Sequence, residues 1–219
     1  MRNDGIFKHI PTSFLWAMDQ VRMLVNILKQ EIFRRTVVME ENRNLLTNAC
    51  SFVNVKPLMV ELPYPPIQVK ERNQVYANLL SNDYCGSVSE LSAITQYINN
   101  ENRMSGEKCA LAQTILGIAI AEMIHLQKLG ELIFLLGGNI DFTAKLQNGC
   151  TRMWTPECLT IPENPREMLI ADIEAEKDAI RQYRMHMGVI CDNYVNAVLA
   201  RIIKDEEYHI VLLQALMDQ

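Results

Sequence analysis

The chain has 219 residues, 49% of them hydrophobic, with a formal charge of −5. That content is enough for one full core plus an appendage, and the absence of a basic footprint argues against a nucleic-acid partner. No stretch reaches the roughly 18 uninterrupted apolar residues of a membrane span, and Met1 to Trp16 lacks the apolar core of a signal peptide, so a cytoplasmic protein is expected. The six cysteines (Cys50, Cys85, Cys109, Cys150, Cys158 and Cys191) include no Cys-x-x-Cys pair. Mostly reduced thiols are the plain expectation, with Cys150 and Cys158 as the one pair worth watching.

Residues 14 to 46 follow a three-four apolar spacing through Leu15, Met18, Val21, Val25, Leu28 and Ile32, which predicts a long helix. From Asn48 to Lys70 the pattern breaks, and Pro57, Pro63, Pro65 and Pro66 make this an extended linker. Residues 1–70 are thus read as an amino-terminal extension and 71–219 as the main domain. Its first helix is predicted over about Asn73 to Asn100, with Leu79, Asp83, Ser87, Glu90, Ile94 and Tyr97 inward and Gly86 tolerated inside it. Ser105 is the expected cap of a second helix that runs to Leu136 and stops at Gly137–Gly138. Residues 139 to 165 read as a long crossover without periodicity. Two further helices, about Arg166 to Gly188 and Ile190 to Met217, complete two helical hairpins. The fold class expected is all-α, a four-helix bundle.

Chemistry-bearing residues fall on the inward faces. Glu122 and His125 stand three apart, as do Glu206 and His209, so each pair leaves one helical face together. Glu90 and Glu176 occupy matching positions on the other two helices. The order Glu, Glu-x-x-His, Glu, Glu-x-x-His is the donor set that a bundle needs to hold two metal ions between its helices. Carboxylate and imidazole suit iron, manganese or zinc, and a carboxylate can bridge two cations. Glu174 competes with Glu176 but points to another face. Asp172 shares the face of Glu176, which makes it an expected outer neighbour, and Asp205 stands four before His209 and is placed to orient an imidazole. Tyr97, two turns beyond Glu90, is an accessory candidate. Without cations this set would be ruinous, since one unpaired buried carboxylate already costs many kcal/mol. Four glutamates and two neutral histidines around two divalent ions sum close to zero charge.

The segments Ser89 to Tyr97, Ala121 to His125, Met168 to Glu176 and Arg201 to Ile210 resemble the four ligand helices of the ferritin-like superfamily, its bacterioferritin branch above all. The resemblance spans about residues 73 to 217. It implies that Glu90 with His125 and Glu176 with His209 each hold one ion, and that Glu122 and Glu206 bridge them. It further implies two iron ions, or two manganese ions as in manganese catalases. Met123 aligns with the methionine that ligates haem in bacterioferritin, although packing is the reading preferred here and haem is not expected. The implied activity is ferroxidase or reduction of oxygen or peroxide, with a catalase-like enzyme or a non-enzymatic metal-binding protein as alternatives. The partners implied are a small oxidant or ferrous iron. The extra first seventy residues and the missing fifth helix point to a homodimer or small homo-oligomer rather than a storage cage.

Overall fold

The computed structural model describes residues 54–106, 108–146 and 149–218. The helix expected over 14–46 lies outside them. Among the described residues five α-helices carry the fold: α1 (Gln74–Cys85), α2 (Glu90–Met104), α3 (Cys109–Leu135), α4 (Pro165–Val189) and α5 (Asn193–Met217). End to end, α1 and α2 form the first rod of a four-helix bundle, with α2 packed on α3 and α4 on α5.

The first rod is not continuous, contrary to the sequence expectation. At Gly86 the chain turns extended (φ −76, ψ −168), its N–H donating to Asn82 O at 2.8 Å. A Cβ there would stand 2.6 Å from that same carbonyl oxygen, so the turn needs glycine for room. Ser89 then restarts the helix, its hydroxyl donating to Gly86 O and accepting from Ser92 N–H. Glu90 becomes the first residue of α2, held at a capped helix start rather than in mid-helix.

Ser105 does not cap the second helix. It closes α2, and α3 begins at Cys109 without a side-chain cap. Gly137 (φ +88) ends α3 in the left-handed conformation that glycine adopts at no steric cost. Within the crossover, which showed no periodicity, a short antiparallel hairpin pairs β1 (Thr143–Lys145) with β2 (Thr151–Met153). It docks on α1 through Asn82 Nδ2 to Lys145 O and Lys145 N to Ser81 Oγ. Its buried Ala144 is too short a signal for an apolar pattern to reveal. Asn164 with Pro165 at the first turn starts α4, and Asp192 starts α5 by accepting from Tyr194 and Val195 N–H. Asp83 and His186 are a buried pair at 2.8 Å that ties α1 to α4.

The interior comes in two apolar halves. One gathers Leu80, Leu129, Leu132, Val195, Leu199 and Ile202. The other gathers Tyr97, Ile115, Ile118, Leu169, Ile173 and Leu213. On each of α3, α4 and α5 the polar residues lie between a stretch of one half and a stretch of the other, so the bundle has a polar layer at its waist. By length and composition α3 could cross a bilayer. Its Glu122 and His125 are buried within that waist, however, and an apolar surface all round suits the central helix of a core.

Residues 55–72 contain no helix and lie along the bundle. Leu58 N–H donates to Gly117 O, Val60 N–H to Asp205 Oδ1 and Lys70 N–H to Asp192 Oδ2. Cys109 is disulfide-bonded, while Cys85 and Cys191 are free thiols. Cys158 is a free thiol, so it forms no disulfide with Cys150.

Candidate metal centre

The waist brings together all six residues singled out by spacing. Glu90, Glu122, His125, Glu176, Glu206 and His209 are each no more than 3% exposed. Glu90 comes from the start of α2, Glu122 and His125 from α3, Glu176 from α4, and Glu206 and His209 from α5. Their donor atoms fall into two groups, Glu90, Glu122, His125 and Glu206 on one side and Glu122, Glu176, Glu206 and His209 on the other, with all atoms of a group within 4.8 Å of one another. A cation about 2.1 Å from each donor would leave opposite donors about 4.2 Å apart, so a contraction of tenths of an ångström closes each group around an ion.

The two groups share Glu122 and Glu206, one oxygen turned each way. His125 Nδ1 lies 2.7 Å from Glu122 Oε2, 3.4 Å from Glu206 Oε1 and 3.5 Å from Glu90 Oε2. His209 Nδ1 lies 3.0 Å from Glu122 Oε1, 3.1 Å from Glu206 Oε2 and 3.4 Å from Glu176 Oε1. Three of these atoms, Glu122 Oε1, Glu206 Oε2 and His209 Nδ1, make no hydrogen bond despite that proximity. They are close but misaligned as donor and acceptor, which is what lone pairs aimed at a common point would give. Buried polar atoms left this way are costly unless something else satisfies them, and two cations would satisfy all three. The donor set therefore fits a dinuclear metal site.

Both imidazoles are held from behind. His209 Nε2 lies 2.8 Å from Leu58 O. A carbonyl can only accept, so Nε2 carries a proton and Nδ1 is the nitrogen that would offer a lone pair to a cation once its own proton is displaced. His125 Nε2 faces Asp205 Oδ2 at 3.1 Å with the same consequence. Burial resists ionisation of Asp205, but hydrogen bonds from His125 and Arg201 outweigh it and hold the carboxyl down at about 2. Asp205 thus orients the imidazole across the bundle, not the His209 on its own helix. Asp172 is fully buried one turn before Glu176, and its partners are Gln96 and Asn100. With no cation to offset it, burial lifts that carboxyl to about 6 against the hydrogen bonds it accepts.

Tyr97 donates to Glu176 Oε1, and Tyr183 donates to Glu90 Oε1, across the bundle in both cases. Burial, with the facing glutamate, raises both phenols well above their ordinary range, so they stay donors. Tyr183 was not among the accessory candidates, yet a signal existed: each tyrosine stands seven residues after a glutamate of the set, Tyr97 after Glu90 and Tyr183 after Glu176. Tyr64, Leu58 and Arg201, which support the imidazoles, had no such signal because their partners are far away in sequence. Met123 is 44% exposed on the outer side of α3, away from the centre.

A cavity of about 330 Å³ reaches the cluster between α2 and α4, with Glu90, Glu122, Glu176, Glu206, Tyr97 and Gln96 in its wall. It connects the waist to the face covered by residues 158–160 of the crossover, where Gln96 Oε1 accepts from Thr160 N–H.

Comparison with known proteins agrees with this architecture. Residues 88–219 match the ferritin family profile, described as a ferritin-like domain. A protein of Clostridium acetobutylicum described as a probable manganese catalase is 24% identical over 170 residues, covering 70% of this chain and 75% of its own. Among solved structures, KatB, a manganese catalase from Anabaena, superposes with a TM-score of 0.65 at 23% identity, over 72% of this chain and 78% of its own. Rhodobacter capsulatus bacterioferritin, whose structure was solved with a metal-free dinuclear site and haem iron, gives 0.54 at 26% identity, over 68% of this chain and 86% of its own.

Proposed function

The chain belongs to the ferritin-like domain family, and from that premise we propose that it is a dinuclear manganese enzyme that disproportionates hydrogen peroxide. The observation that carries the reading is the buried pair of donor groups sharing Glu122 and Glu206, with three polar atoms that no protein partner satisfies. The relative described as a probable manganese catalase and the higher TM-score to KatB favour peroxide and manganese.

In this reading Glu90 and His125 would hold one ion and Glu176 and His209 the other, with Glu122 and Glu206 shared by both donor groups. When bound, the ions supply Lewis acidity and two-electron redox capacity. The chain supplies the rest. Tyr183 holds Glu90 Oε1 by hydrogen bonding and leaves Oε2 toward His125, whereas Tyr97 holds Glu176 through Oε1, the same oxygen that stands 3.4 Å from His209 Nδ1. The apolar halves above and below keep bulk water from the waist and strengthen every charge interaction within it. The cavity beside α2 admits an oxidant of a few atoms and brings it to the carboxylate layer. Those carboxylates are the nearest bases for a proton leaving peroxide.

The test is oxygen evolution from hydrogen peroxide by Mn(II)-loaded protein without added reductant, with half a mole of oxygen per mole of peroxide. A second reading, iron oxidation at the same pair, is favoured by the resemblance to bacterioferritin. Oxygen uptake on adding ferrous iron, with no peroxide turnover by the manganese form, would select it instead.

A further inference from the structure

Both histidines of the waist depend on a stretch of chain that contributes no donor to it. Leu58 O accepts from His209 Nε2 at 2.8 Å. Two residues on, Val60 N–H donates to Asp205 Oδ1 at 2.8 Å. Tyr64 hydroxyl donates to Asp205 Oδ2 at 2.9 Å, and that oxygen in turn faces His125 Nε2. The segment is fastened at two points. Leu58 N–H is bonded to Gly117 O, and Gly117 has no side chain, so that Leu58 can settle where a Cβ would stand 2.8 Å from its Cγ. Arg201 donates to Leu62 O and Val60 O, pairs with Asp205, and lies over the Tyr64 ring at 4.5 Å. Leu58 O, Val60 N–H and the Tyr64 hydroxyl thus each end on an imidazole or on the carboxylate that holds one.

We propose that residues 58–64 form a positioning strap for the dinuclear centre, with Tyr64 setting His125 through Asp205 and the Leu58 carbonyl setting His209 directly. The proposal rests on the dinuclear reading above. An imidazole whose rear nitrogen is anchored keeps its tautomer and ring angle, and removing such an anchor typically weakens metal binding by about 10- to 100-fold. Simple packing of the segment would give a different result, a loss of stability with no change at the metal.

The experiment compares wild type, Y64F, G117A and a control, Y76F, by competition for Mn(II) against a chelator, by manganese EPR at full loading and by melting of the metal-free protein. Y64F keeps the ring under Arg201 and loses only the hydroxyl. G117A pushes Leu58 off its seat. Y76F, in α1, removes a hydroxyl that accepts from Cys191 N–H, away from the waist. Y64F and G117A should each bind Mn(II) about 10-fold or more weakly and give an altered spectrum, while Y76F matches wild type. Wild type carrying two ions beside a Y64F and a G117A of equal affinity and identical spectrum would overturn the strap alone. Wild type that takes up no pair of ions would overturn the dinuclear reading and the strap with it.

Discussion

Loading the centre with Mn(II) should expel protons, and their number follows from which groups hold them beforehand. Burial, reinforced by Glu122 and then Glu206, lifts the carboxyls of Glu90 and Glu176 well above the usual carboxylate range. Burial pulls the imidazoles of His125 and His209 down, but the carboxylates facing them overcome it and raise both well above the ordinary histidine value. Each of these groups holds its proton to higher pH than usual, and each that is still protonated must release it to bind a cation. Exchanging about four protons for two divalent ions leaves the buried charge unchanged, which is the condition for keeping it in an apolar interior. The overall constant for the pair should then climb by about 10⁴ per pH unit, roughly 5.4 kcal/mol, until pH passes the raised values. Calorimetric titration of the metal-free protein with Mn(II), in buffers of different ionisation enthalpy at fixed pH, counts the protons directly. Uptake of two ions with fewer than about two protons released, or an affinity that is flat across neutral pH, would refute the reasoning.

The same four groups bear on stability: raised in the folded state, they stabilise the metal-free protein fully below their unfolded values and lose that contribution as pH rises through the folded ones. Melting of the metal-free form should therefore fall from about pH 4.5 upward as the two glutamates lose their share, and more steeply above about 6.5 where the two histidines join them, while the loaded form holds. Glu122 belongs to both donor groups and Glu90 to one. Elemental analysis should accordingly find no paired manganese in E122Q and about one ion per chain in E90Q. Y183F removes the donor to Glu90 and should weaken Mn(II) binding by about 10-fold, the value of a hydrogen bond to a charged acceptor, about 1.5 kcal/mol. G86A forces a Cβ to within 2.6 Å of Asn82 O and should cost about 1–3 kcal/mol in urea unfolding, with the α2 start and Glu90 displaced.

The six donors were legible because their chemistry is local. Three-residue spacing puts Glu122 with His125 and Glu206 with His209 on one face, and apolar neighbours assign that face to the interior. Glu90 and Glu176 needed only the phase of their own helices. What escaped depended on contacts between distant parts of the chain. By sequence Gly86 reads as tolerated inside a running helix, because nothing local shows that Ser89 wins as a cap and restarts it. Ser105 looked like a start signal, yet it ends α2. The hairpin of β1 and β2 has three residues a strand, too few for alternation to register. Residues 48–70 read correctly as extended from their prolines, as far as the described residues reach, but no pattern could tell that Leu58 and Tyr64 would meet histidines more than sixty residues away.

The two seats of the centre mirror each other in glutamates and tyrosines but not behind their rings. His125 is backed by the Asp205 carboxylate, itself paired with Arg201, whereas His209 rests on a neutral peptide oxygen. An imidazole leaning on an anion is the richer electron donor. A cation bound beside His125 would therefore be the better supplied of the two, and that position should fill first. Near-symmetry in the bundle thus still leaves the ions an order in which to arrive.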